Sequence, residues 1–264
     1  MERSLREAVE ELEARLAAPQ SRRFPILGLK GAAGALLLRE AVLHLERPIL
    51  AVTPLAAEAE TLAREVSFFL DEGDDRDGAI RRVRLLPSWE LKPFAHLSPS
   101  VDRQAAIHEA LYALLRLSSP LVVTSVDALA MRVTPRAEFD RSVLKIGVGD
   151  RLDLALLVEA LDLLGFQRVP LVEEVGDFSV RGGIVDIFTT LSSAPVRLEL
   201  EGDVVASLRR FDPATQRSVE TLAEMAAIPV RHVVRCGTHA SSPHRLVSSK
   251  LRTNSAGSSV DSVG

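Results

Sequence analysis

Cysteine is almost missing from this chain: Cys236 is the only one in 264 residues. A disulfide framework is therefore impossible, and the composition fits a reducing compartment, the cytoplasm. No apolar run approaches the ~20 residues that cross a bilayer. The charged start, Met1-Glu2-Arg3-Ser4-Leu5-Arg6-Glu7, has no apolar segment behind it, so no signal peptide or membrane partner is expected. Aromatics make up 4%, too few for single-strand binding by base stacking. Positive charge is also short: the formal net charge is -4, which excludes bulk affinity for nucleic acid and leaves only a local basic strip for weak DNA contact.

The hydrophobic share is 47% against 26% charged, enough to bury a real core, and the length suits two modest domains. Leu5, Val9, Leu12 and Leu16 predict a helix over 3–18, ended by Pro19. Apolar runs at 24–29, 49–53, 83–86 and 121–125 alternate with helical patterns at 35–45, about 54–70 and 102–116. Thr53-Pro54 and Ser100 are the expected helix starts. That rhythm predicts a doubly wound α/β domain over 1–133, a parallel sheet covered on both faces. Segments 71–78 and 87–100 read as loops, the second too apolar to stay in solvent.

After Thr134-Pro135 the pattern becomes one helix (154–164, closed by Gly165) among consecutive strands at 143–146, 168–172, 196–200 and 204–208. This describes a small antiparallel α+β domain over 134–228. Residues 229–264 are rich in serine and lack an apolar period, so a disordered tail is expected.

One stretch organises the second domain: Gly176-Asp177-Phe178-Ser179-Val180-Arg181-Gly182-Gly183-Ile184-Val185-Asp186-Ile187-Phe188. Two β-favouring runs flank a Gly-Gly pair, the signature of a two-residue hairpin turn or bulge. Arg181 beside it is expected to be held rigidly with its guanidinium fork outward, suited to a carboxylate or phosphate.

Other candidate sites are weaker. The stretch Gly28-Leu29-Lys30-Gly31-Ala32-Ala33-Gly34-Ala35 stands where a phosphate loop would be, with Gly28, Gly31 and Gly34 supplying its turns. A Walker A loop from Gly28 needs glycine, lysine and Ser or Thr at 33–35, and the chain has Ala33, Gly34 and Ala35. The loop reads as vestigial: no cofactor is expected, and an ATP-dependent enzyme is the disfavoured alternative. His232, Cys236, His239 and His244 match no metal spacing. His96 and His108 read as a loop and a helix-surface residue, and Asp127 as a helix N-terminal acid. No catalytic residue is predicted.

Leu86-Pro87-Ser88-Trp89-Glu90, Pro93-Phe94, Ser98-Pro99, Asp102-Arg103, the stretch 176–188, Arg210-Phe211-Asp212-Pro213 and Gln216-Arg217 together resemble the N-terminal module of the bacterial transcription-repair coupling factors. That module is similar to the excision-repair protein UvrB. The resemblance covers about residues 20–228. It implies a RecA-type first domain that has lost its phosphate loop, and a second domain that docks onto UvrA. It also implies Arg168, Arg181 and Phe188 on the docking surface, the last as an apolar anchor if exposed. In that family ATP binds only in motor domains and RNA polymerase only a separate domain, all beyond this sequence. A monomeric, non-catalytic adaptor is thus expected, with a non-functional gene fragment as a further alternative.

Overall fold

The computed structural model describes residues 25–70, 82–89 and 100–231, together with Glu7, Glu10, Glu11 and Ala14, which are helical. The predicted loop at 71–78, residues 90–99 of the predicted loop at 87–100 with His96, and the tail with His232, Cys236, His239 and His244 lie outside the described residues. The chain divides into two compact units, residues 1–99 with 110–132, and residues 100–109 with 133–264.

In the first unit, α1 (Ala33–His44), β1 (Ile49–Thr53), α2 (Ala56–Phe69), β2 (Val83–Leu86), β3 (Leu121–Ser125) and the short α4 (Val126–Leu129) are joined by α3 (Val101–Arg116), whose start belongs to the second unit. The strands form a parallel sheet in the order β1-β3-β2, with Ala51 opposite Val123 and Leu85 opposite Val123 on the other side. Parallel pairing follows from crossovers that run through helices. Alanine dominates the packing helices: Ala35, Ala59 and Ala63 let α1 and α2 close on Val83, Leu121 and Val123.

Coverage on both faces holds only for the central strand. All of β3 is buried, but Leu50 and Val52 of β1 are 51% and 44% exposed. The expected strand at 24–29 is replaced by irregular chain over 25–30, with Leu27 86% exposed. Pro25 has no N–H for a ladder. The helix expected from Thr53-Pro54 starts at Ala56, because the Thr53 hydroxyl donates to the Leu55 and Thr124 carbonyls instead of capping. Ser100 does cap α3, accepting from the Arg103 N–H at 3.3 Å.

The second unit contains α5 (Arg136–Ser142), β4 (Leu144–Gly147), α6 (Leu154–Leu163), β5 (Gln167–Arg168), β6 (Asp177–Arg181), β7 (Ile184–Ile187), β8 (Val196–Glu201), β9 (Val204–Phe211), β10 (Ser218–Leu222) and β11 (Glu224–Ala227). Six strands form one sheet in the order β10-β9-β8-β7-β6-β5, and β11 pairs with β4. Asp153 caps α6 through Ala155 and Leu156 N–H groups. Leu157, Leu161 and Leu164 then pack with Phe178, Val185, Ile187, Leu198 and Leu208 from one sheet face. His108 is not on a helix surface: it is 3% exposed, its ring stacked on Phe139 at 5.8 Å.

The Gly-Gly pair is a two-residue turn whose glycines are required for different reasons. Gly182 adopts φ +60°, where a side chain is strained but space is open. Gly183 has an ordinary φ, yet a Cβ there would lie 2.9 Å from the Leu200 carbonyl oxygen, while its own carbonyl accepts from Leu200 N–H at 2.7 Å. G183A is therefore expected to cost about 1–3 kcal/mol by overpacking against backbone, and G182N well under 1 kcal/mol, since Asn tolerates positive φ. Urea midpoints of the two variants check the order.

Candidate functional site

Alternation sorts the six-stranded sheet into a core face and an outer face. Phe178, Val180, Val185 and Leu198 point to the core. The register then places Ser179 opposite Asp186, Asp186 opposite Arg197, and Arg197 opposite Arg209 on the outer face. Arg181 shares that face and stands opposite Ile184. Its neighbour one step diagonal across the hairpin is Asp186, within reach of a long side chain.

Asp186 is the centre of this face. Its carboxylate is 1% exposed and is gripped by two guanidinium groups. Arg197 binds bidentately, Nε to Oδ1 at 2.7 Å and Nη2 to Oδ2 at 2.9 Å. Arg181 adds one bond, Nη2 to Oδ2 at 3.0 Å, and remains 53% exposed. The expected outward fork of Arg181 is thus tethered at one prong. The Ser179 hydroxyl, buried opposite Asp186, makes no hydrogen bond and leaves the carboxylate to the arginines.

Arg197 is itself fixed from below and beside. Its guanidinium carbon lies 4.5 Å from the centre of the Phe211 ring, which is fully buried although it belongs to the outer face. Its Nη2 also donates to Gln216 Oε1 at 3.2 Å. Hydrogen bonding to Asp186 holds the Arg197 pKa above its usual value, with the Asp186 and Glu199 charges adding to it against desolvation. Gln216 sits at φ 58°, a left-handed conformation uncommon for a non-glycine residue, and its Nε2 donates to the Pro213 carbonyl at 2.8 Å. Asp212 builds that turn by accepting from the Ala214 N–H and the Thr215 hydroxyl, both at 2.9 Å, which lowers its pKa.

The other expected contacts fall elsewhere. Arg168 is exposed on the edge strand β5, aligned with Phe178 in a parallel pair. Parallel partners point to the same side, so Arg168 leaves the sheet on the core side, opposite Arg181 and three residues, about 10 Å, along the strand. Phe188 lies on the outer side by alternation but is only 9% exposed, its backbone extending the hairpin to Asp177 and Gly176. An exposed aromatic anchor is therefore absent at Phe188. The exposed apolar residue beside Arg181 is Ile184, at 38%.

In the first unit Gly28 and Gly31 adopt φ +85° and +54°, and α1 begins at Ala33 with no side-chain cap. Asp127 stands in the first turn of α4, whose cap is Ser125. Among the described residues no group of three His, Cys, Asp or Glu could hold a metal, and no helix is long and apolar enough to cross a membrane.

Sequence reasoning missed Asp186, Arg197, Phe211, Gln216 and Ile184 as members of one site. Comparison with known proteins supplies its context: residues 144–233, the stretch that builds this sheet, match the UvrB interaction domain family. Residues 144–233 of the second unit are thus similar to UvrB interaction domains. Over most of its length the chain is also similar to transcription-repair-coupling factors. The relative from Myxococcus xanthus is 38% identical over 236 residues, 88% of this chain and 19% of that protein. Those from Escherichia coli K12 and Bacillus subtilis 168 are 30% and 28% identical, over 76% and 79% of this chain and 17% of each relative. The chain thus spans less than a fifth of the length of these curated relatives. Within the matched residues 144–233 the Arg181–Asp186–Arg197 cluster, with Gln216 bonded to Arg197, joins the two conspicuous motifs, 176–188 and 210–217.

Proposed function

We propose that this chain acts in transcription-coupled nucleotide-excision repair as a non-catalytic adaptor that docks onto UvrA through the outer face of the six-stranded sheet. The observation that carries this reading is the match of residues 144–233 to the UvrB interaction domain, on the sheet that holds an ordered, half-exposed Arg181. The relatives named for transcription-repair coupling support the pathway. The face has the chemistry of a protein contact: Arg181, Arg197 and Arg209 stand among Asp177, Asp186 and Glu199, Arg181 is the most exposed of the three arginines, and Ile184 is exposed beside it. Arginine held in a fixed geometry next to apolar surface commonly dominates binding energy.

In this reading Arg168 reaches the partner around the β5 edge, and its contribution is smaller than that of Arg181. Nucleotide chemistry plays no part, because the positions equivalent to the phosphate-binding lysine and hydroxyl are Gly34 and Ala35.

Titration calorimetry of the chain with UvrA is the test. Arg181→Ala is expected to weaken binding by about tenfold or more, roughly 1.4–3 kcal/mol, with a smaller loss of stability because Arg197 still holds both Asp186 oxygens, and with Arg168→Ala weaker in its effect on binding. Equal affinity of Arg181→Ala and the parent removes Arg181 from the interface.

A further inference from the structure

Two guanidinium groups on one buried carboxylate are one more than charge balance requires. The geometry divides them unequally. Arg197 takes both oxygens of Asp186 through Nε and Nη2 and is 20% exposed. Arg181 touches one oxygen with one nitrogen and is 53% exposed. Charges of +2 and -1 leave +1, and exposure places that surplus on Arg181.

We propose that Arg197 is a positioning residue: by satisfying Asp186 bidentately it leaves Arg181 on a single tether, with the rest of its fork presented to a carboxylate of the docking partner. This rests on the UvrA reading and specifies the partner's chemistry at that spot, an acidic side chain. A guanidinium carries five N–H donors, and the recorded bond to Asp186 uses one nitrogen of Arg181. Without Arg197, the same carboxylate would be served by Arg181 alone. Bidentate pairing is the favoured arrangement of such a pair, so Arg181 would turn inward and its charge would be neutralised.

The second motif explains why Arg197 does not swing away to solvent. Phe211 supplies the ring beneath it, and Gln216 accepts from Nη2. Gln216 is held by its left-handed backbone and its bond to the Pro213 carbonyl, in a turn closed by Asp212. A non-glycine residue kept at positive φ, with its side chain bonded to the cluster, fits a turn shaped for that contact. Phe211 and Gln216 of this second motif therefore act through Arg197 and need not touch the partner.

The test uses the whole chain in four forms: parent, R197M, D186N and R197M/D186N. One readout is phenylglyoxal labelling of Arg181, mapped by peptide mass spectrometry without any partner. The other is calorimetry with UvrA. In R197M, labelling of Arg181 should slow and UvrA affinity fall by about tenfold, the size of one lost charge-assisted contact. In R197M/D186N both should return toward the parent, because the competing carboxylate is gone.

Unchanged labelling of Arg181 in R197M overturns the proposal. So does a double variant whose labelling recovers while its affinity does not, since Arg197 would then contact the partner directly. Should R197M fail to melt cooperatively, D186N decides: faster labelling of Arg181 than in the parent is expected, and an equal rate overturns the proposal. If labelling follows the expected pattern and no form binds UvrA, the docking reading fails and the positioning role stands.

Discussion

Phe211→Ala is expected to remove about 3–5 kcal/mol from the stability of the second unit, the usual cost of truncating a fully buried phenylalanine. Phe211 is completely buried and among the largest such side chains in the chain, so little of its volume can be recovered by collapse. Its ring also lies beneath the Arg197 guanidinium, 4.5 Å from ring centre to guanidinium carbon. The variant loses the cation–π contact, worth roughly 0.5–2 kcal/mol, and opens a void beside a charged group where water can enter. A domain of this size has on the order of 5–15 kcal/mol in total, so a large share of its stability is at stake. Phe211→Leu separates the two roles: it fills most of the volume but offers no ring face to Arg197. Urea unfolding followed by hydrogen exchange at β8 and β9 amides should show a large loss for alanine and a small one for leucine. The single tryptophan, Trp89, lies in the first unit and is the wrong probe. UvrA affinity should fall in both variants. A leucine variant that binds as tightly as the parent would show that the ring does not orient Arg197.

How far the sequence could be read depended on which interactions were local. The hairpin at Glu201-Gly202-Asp203 and the turn at Gly182-Gly183 were legible because a two- or three-residue connection with glycine marks where two strands fold back; it fixes the β6–β7 register, whereas the β8–β9 register shifts between Glu199 and Leu200. Helix α6 was legible from its leucine period and from Gly165, found at φ +82°. Strand 168–172 was over-read: pairing covers Gln167 and Arg168 alone, because Pro170 has no N–H to continue the ladder. The face at Leu50 and Val52 was read as covered because an apolar run shows that a strand can be buried, not that a neighbour is present.

The same distinction runs through the site. Asp186 was within reach, since counting back from the Gly-Gly turn sets it opposite Ser179 and diagonal to Arg181. Arg197 was not, because the connection from Phe188 to Pro195 hides the register between β7 and β8. Phe188 shows the limit of parity: alternation gives the side of the sheet but not the depth, and the ring is packed down. Arg168 shows another limit, as a parallel edge strand reverses the side that sequence proximity suggests.

Asp186→Ala is expected to destabilise the second unit by about 3 kcal/mol, the lower end of the cost of breaking a buried ion pair by removing one partner. The lower end applies because the groups left behind are not equally buried. Arg197 and Arg181 are 20% and 53% exposed and can draw water to their charges, whereas Asp186 is sealed. Asp186→Asn should cost less than alanine, since the amide oxygen still accepts from one guanidinium and its volume is kept. Urea midpoints measured at low and high salt check both points. The loss for alanine should persist at high salt, because a sealed carboxylate is screened far less than a surface charge. A small loss that vanishes with salt would mean a surface lattice of the ordinary weak kind. Arg181 would then be one exposed arginine among many, with nothing in the fold to aim it, so this stability measurement bears directly on the docking geometry.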